Sequence, residues 1–145
     1  MLKSIDPLLS PDLLHTLRAM GHGDEIVIVD ANFPATSNAK RLIRLDGVTA
    51  TRALDAILSV MPLDYAVDCA AFDMEVGATR KTDAPIHSEF RASLARHETG
   101  QQATLGGIDR HAFYARARNA FAIVATTEAR LYGNILLVKG IIRPA

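Results

Sequence analysis

The chain reads as an α/β protein, a three-layer α/β/α arrangement around a mostly parallel central sheet. Three observations predict this. Apolar positions at helical spacing alternate along the chain with short runs rich in Ile and Val. The run Glu25 to Asp30 is nearly all Ile and Val, the composition of a strand covered on both faces, as in a parallel sheet. No internal repeat, linker or low-complexity segment interrupts the alternation, which is the pattern of a layered sheet. At 145 residues the chain has the size of one ordinary domain, and residues 1–145 read as a single one.

Taken in order, Ser10-Pro11-Asp12 starts a helix with a hydroxyl cap, a proline in the first turn and an acid near the positive end of the dipole. Leu13, Leu14, Leu17 and Met20 give its apolar face, His15 and Arg18 its wet face, and Gly21 is placed to end it as a cap glycine. The strand Glu25 to Asp30 follows and stops before Pro34. Residues 35–40 are small and polar, which predicts a loop. Leu42, Ile43 and Leu45 make a second short apolar run, closed by the turn signal Asp46-Gly47. Thr49 to Met61 reads as a helix with Ala53, Leu54, Ile57, Leu58 and Met61 on one face, ended by Pro62.

Tyr65 to Phe72 is small and apolar enough for a buried strand, although Asp68 interrupts it, and residues 75–83 read as a loop. Pro85 opens a helix with Ile86, Phe90 and Leu94 stacked, ended by Thr99-Gly100. A short strand over Ala103 to Ile108 precedes a helix that Asp109 caps and that runs to about Asn119, with Phe113, Ala117 and Ala120 on one side. Phe121 to Thr126 and Ile135 to Val138 are the last strands.

Sixteen basic side chains balance sixteen acidic ones, so there is no excess positive field to hold a nucleic acid or an anionic membrane surface. Cys69 is the lone cysteine, which rules out an internal disulfide and suits a reducing compartment. The first residues, Met-Leu-Lys-Ser-Ile-Asp-Pro, do not form a secretory signal, and no apolar run approaches the roughly 20 residues of a membrane span. The expectation is a soluble, cytoplasmic protein. Zero net charge with nearly half the residues apolar is a poor recipe for a soluble monomer, which predicts a homo-oligomer.

No phosphate-cradling glycine loop occurs, so no nucleotide cofactor is expected. Histidines 15, 22, 87, 97 and 111 never fall at a zinc spacing, and no G-x-S-x-G elbow is present. What remains is acid-base work by His and Asp. His22 stands between Gly21 and Gly23, where little side-chain bulk keeps a ligand away, and Asp30 ends a strand at the edge where α/β sheets bind ligands. Each residue has a plainer reading beside the functional one. His22 is first a loop histidine, and Asp30 and Asp64 are turn formers. Arg110 is a solvated charge in the first turn of a helix. Tyr114 and Tyr132 are partly buried aromatics, and Gly133 and Asn134 are turn residues.

Longer blocks carry more. Ser10-Pro11-Asp12-Leu13-Leu14, Met20-Gly21-His22-Gly23-Asp24-Glu25-Ile26, Asp30-Ala31-Asn32-Phe33-Pro34 and Arg44-Leu45-Asp46-Gly47 strongly resemble the L-fucose mutarotases, relatives of the D-ribose pyranases. Arg110-His111-Ala112-Phe113-Tyr114-Ala115-Arg116-Ala117, Ala120 to Val124, and Leu131-Tyr132-Gly133-Asn134 through Gly140 resemble the same family. The stretch from Val67 to Ile108 departs from the pattern, apart from Pro85-Ile86 and the helix after it.

The resemblance implies a cofactor-free, metal-free enzyme that interconverts the α and β anomers of L-fucose or a similar monosaccharide. It implies His22 as proton donor and Asp64 as a catalytic carboxylate, with Asp30, Arg110, Tyr114, Tyr132, Gly133 and Asn134 holding the sugar. It also implies ring-shaped assemblies, pentamers often paired into decamers, with sites between neighbours. The spacing agrees with that last point, because the stretch from His22 to Asp30 spans over roughly 15 Å at strand geometry. Alternatives from the same residues are a non-catalytic sugar-binding or transport-accessory protein, and pyranose-furanose conversion of ribose. Arg110 and the first block argue against the ribose reaction.

Overall fold

The computed structural model of the protein describes residues 2–77 and 83–144. Its first helix, α1 (Pro11–Ala19), begins as the sequence dictates, with the Ser10 hydroxyl accepting from the Leu13 N–H at 3.2 Å. It ends without a left-handed glycine. Met20 turns the chain into extended backbone while its N–H still bonds the Thr16 carbonyl, so Gly21 lies beyond the helix end. The positive φ expected of Gly21 belongs instead to Gly23, at +83°.

The strands are β1 (Glu25–Val29), β2 (Leu42–Leu45), β3 (Ala71–Met74), β4 (Leu105–Ile108), β5 (Ala122–Thr126) and β6 (Ile135–Val138). They form one sheet in the order β2-β5-β1-β6-β3-β4. β1 lies at its centre, with Ile26, Val27, Ile28 and Val29 fully buried, as their composition requires of a strand covered on both faces. It pairs parallel with β5 and antiparallel with β6, and β6 is the strand that opposes the common direction.

The other helices are α2 (Ala35–Asn38), α3 (Ala50–Leu58), α4 (Pro85–His97) and α5 (Arg110–Asn119). Adjacent residues of a strand point to opposite faces, and β3 shows where the layers lie. Phe72 carries the Arg116 guanidinium of α5 over its ring, whereas Asp73 faces His87 of α4, Oδ2 to Nδ1 at 3.4 Å. Helices thus cover both faces, giving the three layers. Ile86, Phe90 and Leu94 of α4 and Ala53, Leu54 and Ile57 of α3 are buried where their spacing placed them. α5 is capped by Asp109, whose Oδ1 accepts from the N–H groups of His111 and Ala112. Among the described residues no helix is long and apolar enough to cross a membrane.

Three local expectations change. The strand sought at Tyr65 to Phe72 sits at Ala71–Met74, because Asp64 turns the chain by accepting the Ala66 N–H at 2.9 Å and residues 65–68 are exposed. Residues 35–40, read as loop, contain the single helical turn α2, closed by the Ala39 N–H on the Ala35 carbonyl. A 3-10 turn over Gly100–Ala103 delays the strand expected from Ala103 until Leu105. Residues 78–82 of the expected 75–83 loop lie outside the described residues.

Candidate functional site

The predicted residues gather in two places, one at each end of β1. Beyond its carboxyl end lies a pocket of about 280 Å³ lined by Asp30, Phe33, Met74, Arg110, Tyr114, Tyr132 and Asn134, among others. Asp30 and Asn134, both buried, exchange two hydrogen bonds. The Asp30 N–H donates to Asn134 Oδ1 at 3.0 Å, and Asn134 Nδ2 donates to Asp30 Oδ2 at 2.8 Å. Asp30 Oδ1 also accepts the Asn32 N–H at 2.9 Å, so the turn-forming reading of this carboxylate holds beside its place in the pocket.

Aromatic rings make the pocket's other wall. Phe33 and Tyr114 stack with centroids 5.0 Å apart, and the Arg110 guanidinium lies 5.4 Å from the Tyr114 centroid. Arg110 reaches the pocket because Asp109 caps α5 and leaves Arg110 as its first helical residue.

Tyr132 has φ +62°, a left-handed conformation that costs a residue with a side chain strain and persists only where the surroundings impose it. Gly133 is obligatory for a different reason. A Cβ there would stand 2.7 Å from Glu128 Cγ, 3.2 Å from the Arg130 carbonyl oxygen and 3.3 Å from Asp30 Cβ. Gly133 thus serves the pocket by letting its backbone approach Asp30 and Glu128.

Ahead of the other end of β1, His22 Nε2 stands 3.0 Å from Asp64 Oδ1. The imidazole is half-exposed at 49%, the carboxylate buried at 4%. The Ala66 N–H on the same carboxylate, with desolvation opposing it and His22 adding to it, holds Asp64 below its usual pKa, so the group is an anion at neutral pH.

The pair is assembled by the end of β6. Asp64 N–H donates to the Val138 carbonyl, Gly140 N–H to the Pro62 carbonyl, and Gly23 N–H to the Lys139 carbonyl. Lys139 Nζ reaches back to the carbonyls of Leu17 and Met20, satisfying the end of α1 just before His22. Gly140 admits this packing, since a Cβ there would lie 2.3 Å from the Leu63 carbonyl oxygen.

β6 therefore serves both halves. Because it runs antiparallel to β1, its start brings Asn134 beside Asp30 and its end brings Lys139 beside the His22 turn. Within one chain, however, the whole of β1 lies between the two groups, and neither His22 nor Asp64 lines the Asp30 pocket. Among the described residues no three His, Cys, Asp or Glu side chains group as metal ligands do.

Sequence reasoning missed Phe33 and Met74 as pocket walls, and it missed the buried Glu128 beneath Gly133. The available signal for Glu128 was an acid two residues ahead of Arg130 in the run that leads, through Leu131, into Tyr-Gly-Asn.

Fold and site together define a class: a small α/β protein that presents a carboxylate, an amide, a guanidinium and aromatic faces where its central strand ends. More particularly, the chain belongs to the RbsD / FucU transport protein family, whose model matches residues 3–142. It is 44% identical to the fucose mutarotase of Bos taurus over 150 residues, spanning 99% of this chain and 96% of that one. It is also 44% identical to the fucose mutarotase of Homo sapiens, over 97% of this chain and 94% of the other. The crystal structure of the fucose mutarotase from Streptococcus pneumoniae in complex with L-fucose is similar to it at a TM-score of 0.90 and 46% identity, covering 98% of this chain and all of that one.

Proposed function

We propose that this protein is an isomerase that interconverts the α and β anomers of L-fucose, with His22 and Asp64 in the chemistry and Asp30, Arg110, Tyr114, Tyr132, Gly133 and Asn134 holding the sugar. Identity of 44% to fucose mutarotases over nearly the full length supports the reaction. The observation that carries the mechanism is the half-exposed imidazole bonded to a buried, ionised carboxylate.

Anomer exchange needs a proton delivered to the ring oxygen while the anomeric hydroxyl loses one. The C1–O5 bond breaks to give the open aldehyde, rotation about C1–C2 presents the other face, and the reverse transfers close the ring. His22, its Nε2–H held by Asp64, has Nδ1 available to exchange protons with the sugar, and the carboxylate stabilises the imidazolium that forms. A positioned acid-base group contributes about 10²- to 10⁴-fold in rate. Asp30, Arg110 and Asn134 take the sugar hydroxyls, and the Tyr114 ring packs on an apolar face.

Because β1 separates the two halves, the working site is formed between subunits, with His22 of one chain facing the pocket of its neighbour. Exposed apolar side chains at both halves support this reading. Leu131, 66% exposed, rims the sugar pocket, and Tyr65 and Val67 follow Asp64. The assembly is a closed ring of single-domain subunits, paired into a decamer and working in the cytoplasm. Zero net charge and a lone, unpaired cysteine support both parts of that statement.

Saturation-transfer NMR on L-fucose tests the reaction. Added protein accelerates exchange between the anomeric resonances, and exchange no faster than in buffer would refute it.

A further inference from the structure

We infer that Glu128 and Arg130 are positioning residues that set the turn Tyr132-Gly133-Asn134, and so fix the sugar pocket from behind; this rests on the functional reading above. Residues 127–134 carry the chain from β5 to β6 on the far side of β1. Midway, Glu128 is buried at 3% exposure with a full set of donors. Its Oε1 accepts the Arg130 N–H at 3.0 Å and Arg130 Nε at 2.8 Å. Its Oε2 accepts the second Arg130 guanidinium nitrogen at 3.0 Å and the N–H of Ala50, the first residue of α3, at 3.3 Å. Its backbone is held as well. The carbonyl accepts the Ala31 N–H at 2.9 Å, and the N–H donates to Thr126 Oγ1, which in turn donates to the Val29 carbonyl. Arg130 is anchored outward by Glu89 of α4, through two guanidinium nitrogens.

Glu128 therefore joins the ends of β1 and β5 to the starts of α3 and the turn, while Arg130 ties the turn to α4. The coupling to the site is steric. Glu128 Cγ is where a Cβ on Gly133 would clash, so the Glu128 side chain is the floor on which the turn rests. Tyr132 on one side of that floor is held left-handed, and Asn134 on the other reaches Asp30. A buried carboxylate with four N–H donors has one arrangement, and that arrangement fixes the turn above it.

The test compares the wild type with Glu128→Gln, Glu89→Gln, Tyr132→Ala and the double variant Glu128→Gln/Tyr132→Ala. L-fucose affinity is measured by calorimetry, exchange by saturation-transfer NMR, and the Tyr132 ring by fluorotyrosine labelling. Glu89→Gln alters a half-exposed anchor and keeps the test open if Glu128→Gln fails to fold. Glu128→Gln is expected to weaken affinity by about 10- to 100-fold, the scale of losing one or two well-placed hydrogen bonds to the sugar. Exchange at saturating sugar and its pH profile stay close to wild type.

Glu89→Gln acts in the same direction and less strongly, and both variants shift the Tyr132 resonance. The affinity loss is smaller in the Tyr132→Ala background by about twofold or more, beyond ordinary additivity scatter. Unchanged affinity in both Glu variants, or losses that simply add, would overturn the assignment. A wild type inert toward L-fucose would sink the functional reading instead. The Tyr132 resonance then decides the clamp alone, and a signal unmoved in both variants overturns it.

Discussion

Asp30 and Asn134 are joined by two hydrogen bonds, one from the Asp30 backbone and one to its carboxylate, because β1 and β6 run in opposite directions and the end of one lies beside the start of the other. Truncating Asn134 to Ala removes both partners and leaves a buried N–H and a buried carboxylate oxygen unsatisfied. The expected cost is about 1–3 kcal/mol of stability. L-fucose affinity falls with it, measured by calorimetry beside a urea melt. Affinity equal to wild type would detach Asn134 from the sugar.

Asp64→Asn keeps the shape of the His22–Asp64 pair and removes its charge. The imidazolium formed in ring opening then lacks its anionic partner, and exchange at saturating L-fucose falls by about 10²-fold or more with affinity little changed. The Ala66 N–H and His22 hold the Asp64 carboxyl below the ordinary range, so wild-type activity is not lost to protonation of Asp64 until well into acid. A pH-rate profile checks both points. A variant as fast as wild type would remove Asp64 from the chemistry.

Two of the crowded glycines, Gly133 and Gly140, separate binding from chemistry. Gly133→Ala drives a methyl toward Glu128 and displaces Tyr132 and Asn134, so it raises KM. Gly140→Ala drives one into the Leu63 carbonyl, 2.8 Å from Asp64 Cα, and displaces the proposed His22–Asp64 acid-base pair, so it lowers kcat. Each costs about 1–3 kcal/mol or more as overpacking. Steady-state kinetics on the folded variants would show the opposite split if the halves were wrongly assigned.

Glu128 gives a pH signature in stability. Hydrogen bonding to Arg130, the largest influence on it, holds its carboxyl below the ordinary value. A group whose folded pKa is depressed stabilises the fold above its unfolded pKa and ceases to as pH falls through the folded one. The stability gap between wild type and Glu128→Gln is therefore widest near neutrality and closes below about pH 4. Urea melts across pH measure it, and a gap that grew in acid would contradict the assignment.

Much of this fold is legible in the residues because local signals and burial agree. Ser10, Thr49 and Asp109 cap the helices they precede, and Ile26 to Val29 are as buried as an unbroken Ile/Val run implies. The strand lies at Ala71–Met74 rather than from Tyr65 because a buried acid, Asp73, interrupts its apolar pattern, and the contact Asp73 makes with His87 comes from a helix far along the chain. β6 is antiparallel through long-range pairing that no local pattern records.

His22 and Asp30 stood out by their setting in the chain, and the roles of the other site residues came through the resemblance. What binds His22 to Asp64, and Glu128 to Ala50, Arg130 and the turn, is contact across the folded chain.

The division of the site between the two ends of β1 carries the central claim, that one chain's imidazole works on sugar held by its neighbour. Mixing two impaired variants, His22→Ala and Asn134→Ala, after dissociation and reassembly, and assaying at sugar far below KM, tests it most directly. In the proposed ring each site would draw its halves from different chains, so an equal mixture restores about one quarter of wild-type anomer exchange. A mixture as impaired as its parents, from rings shown to have exchanged subunits, would contradict a shared site.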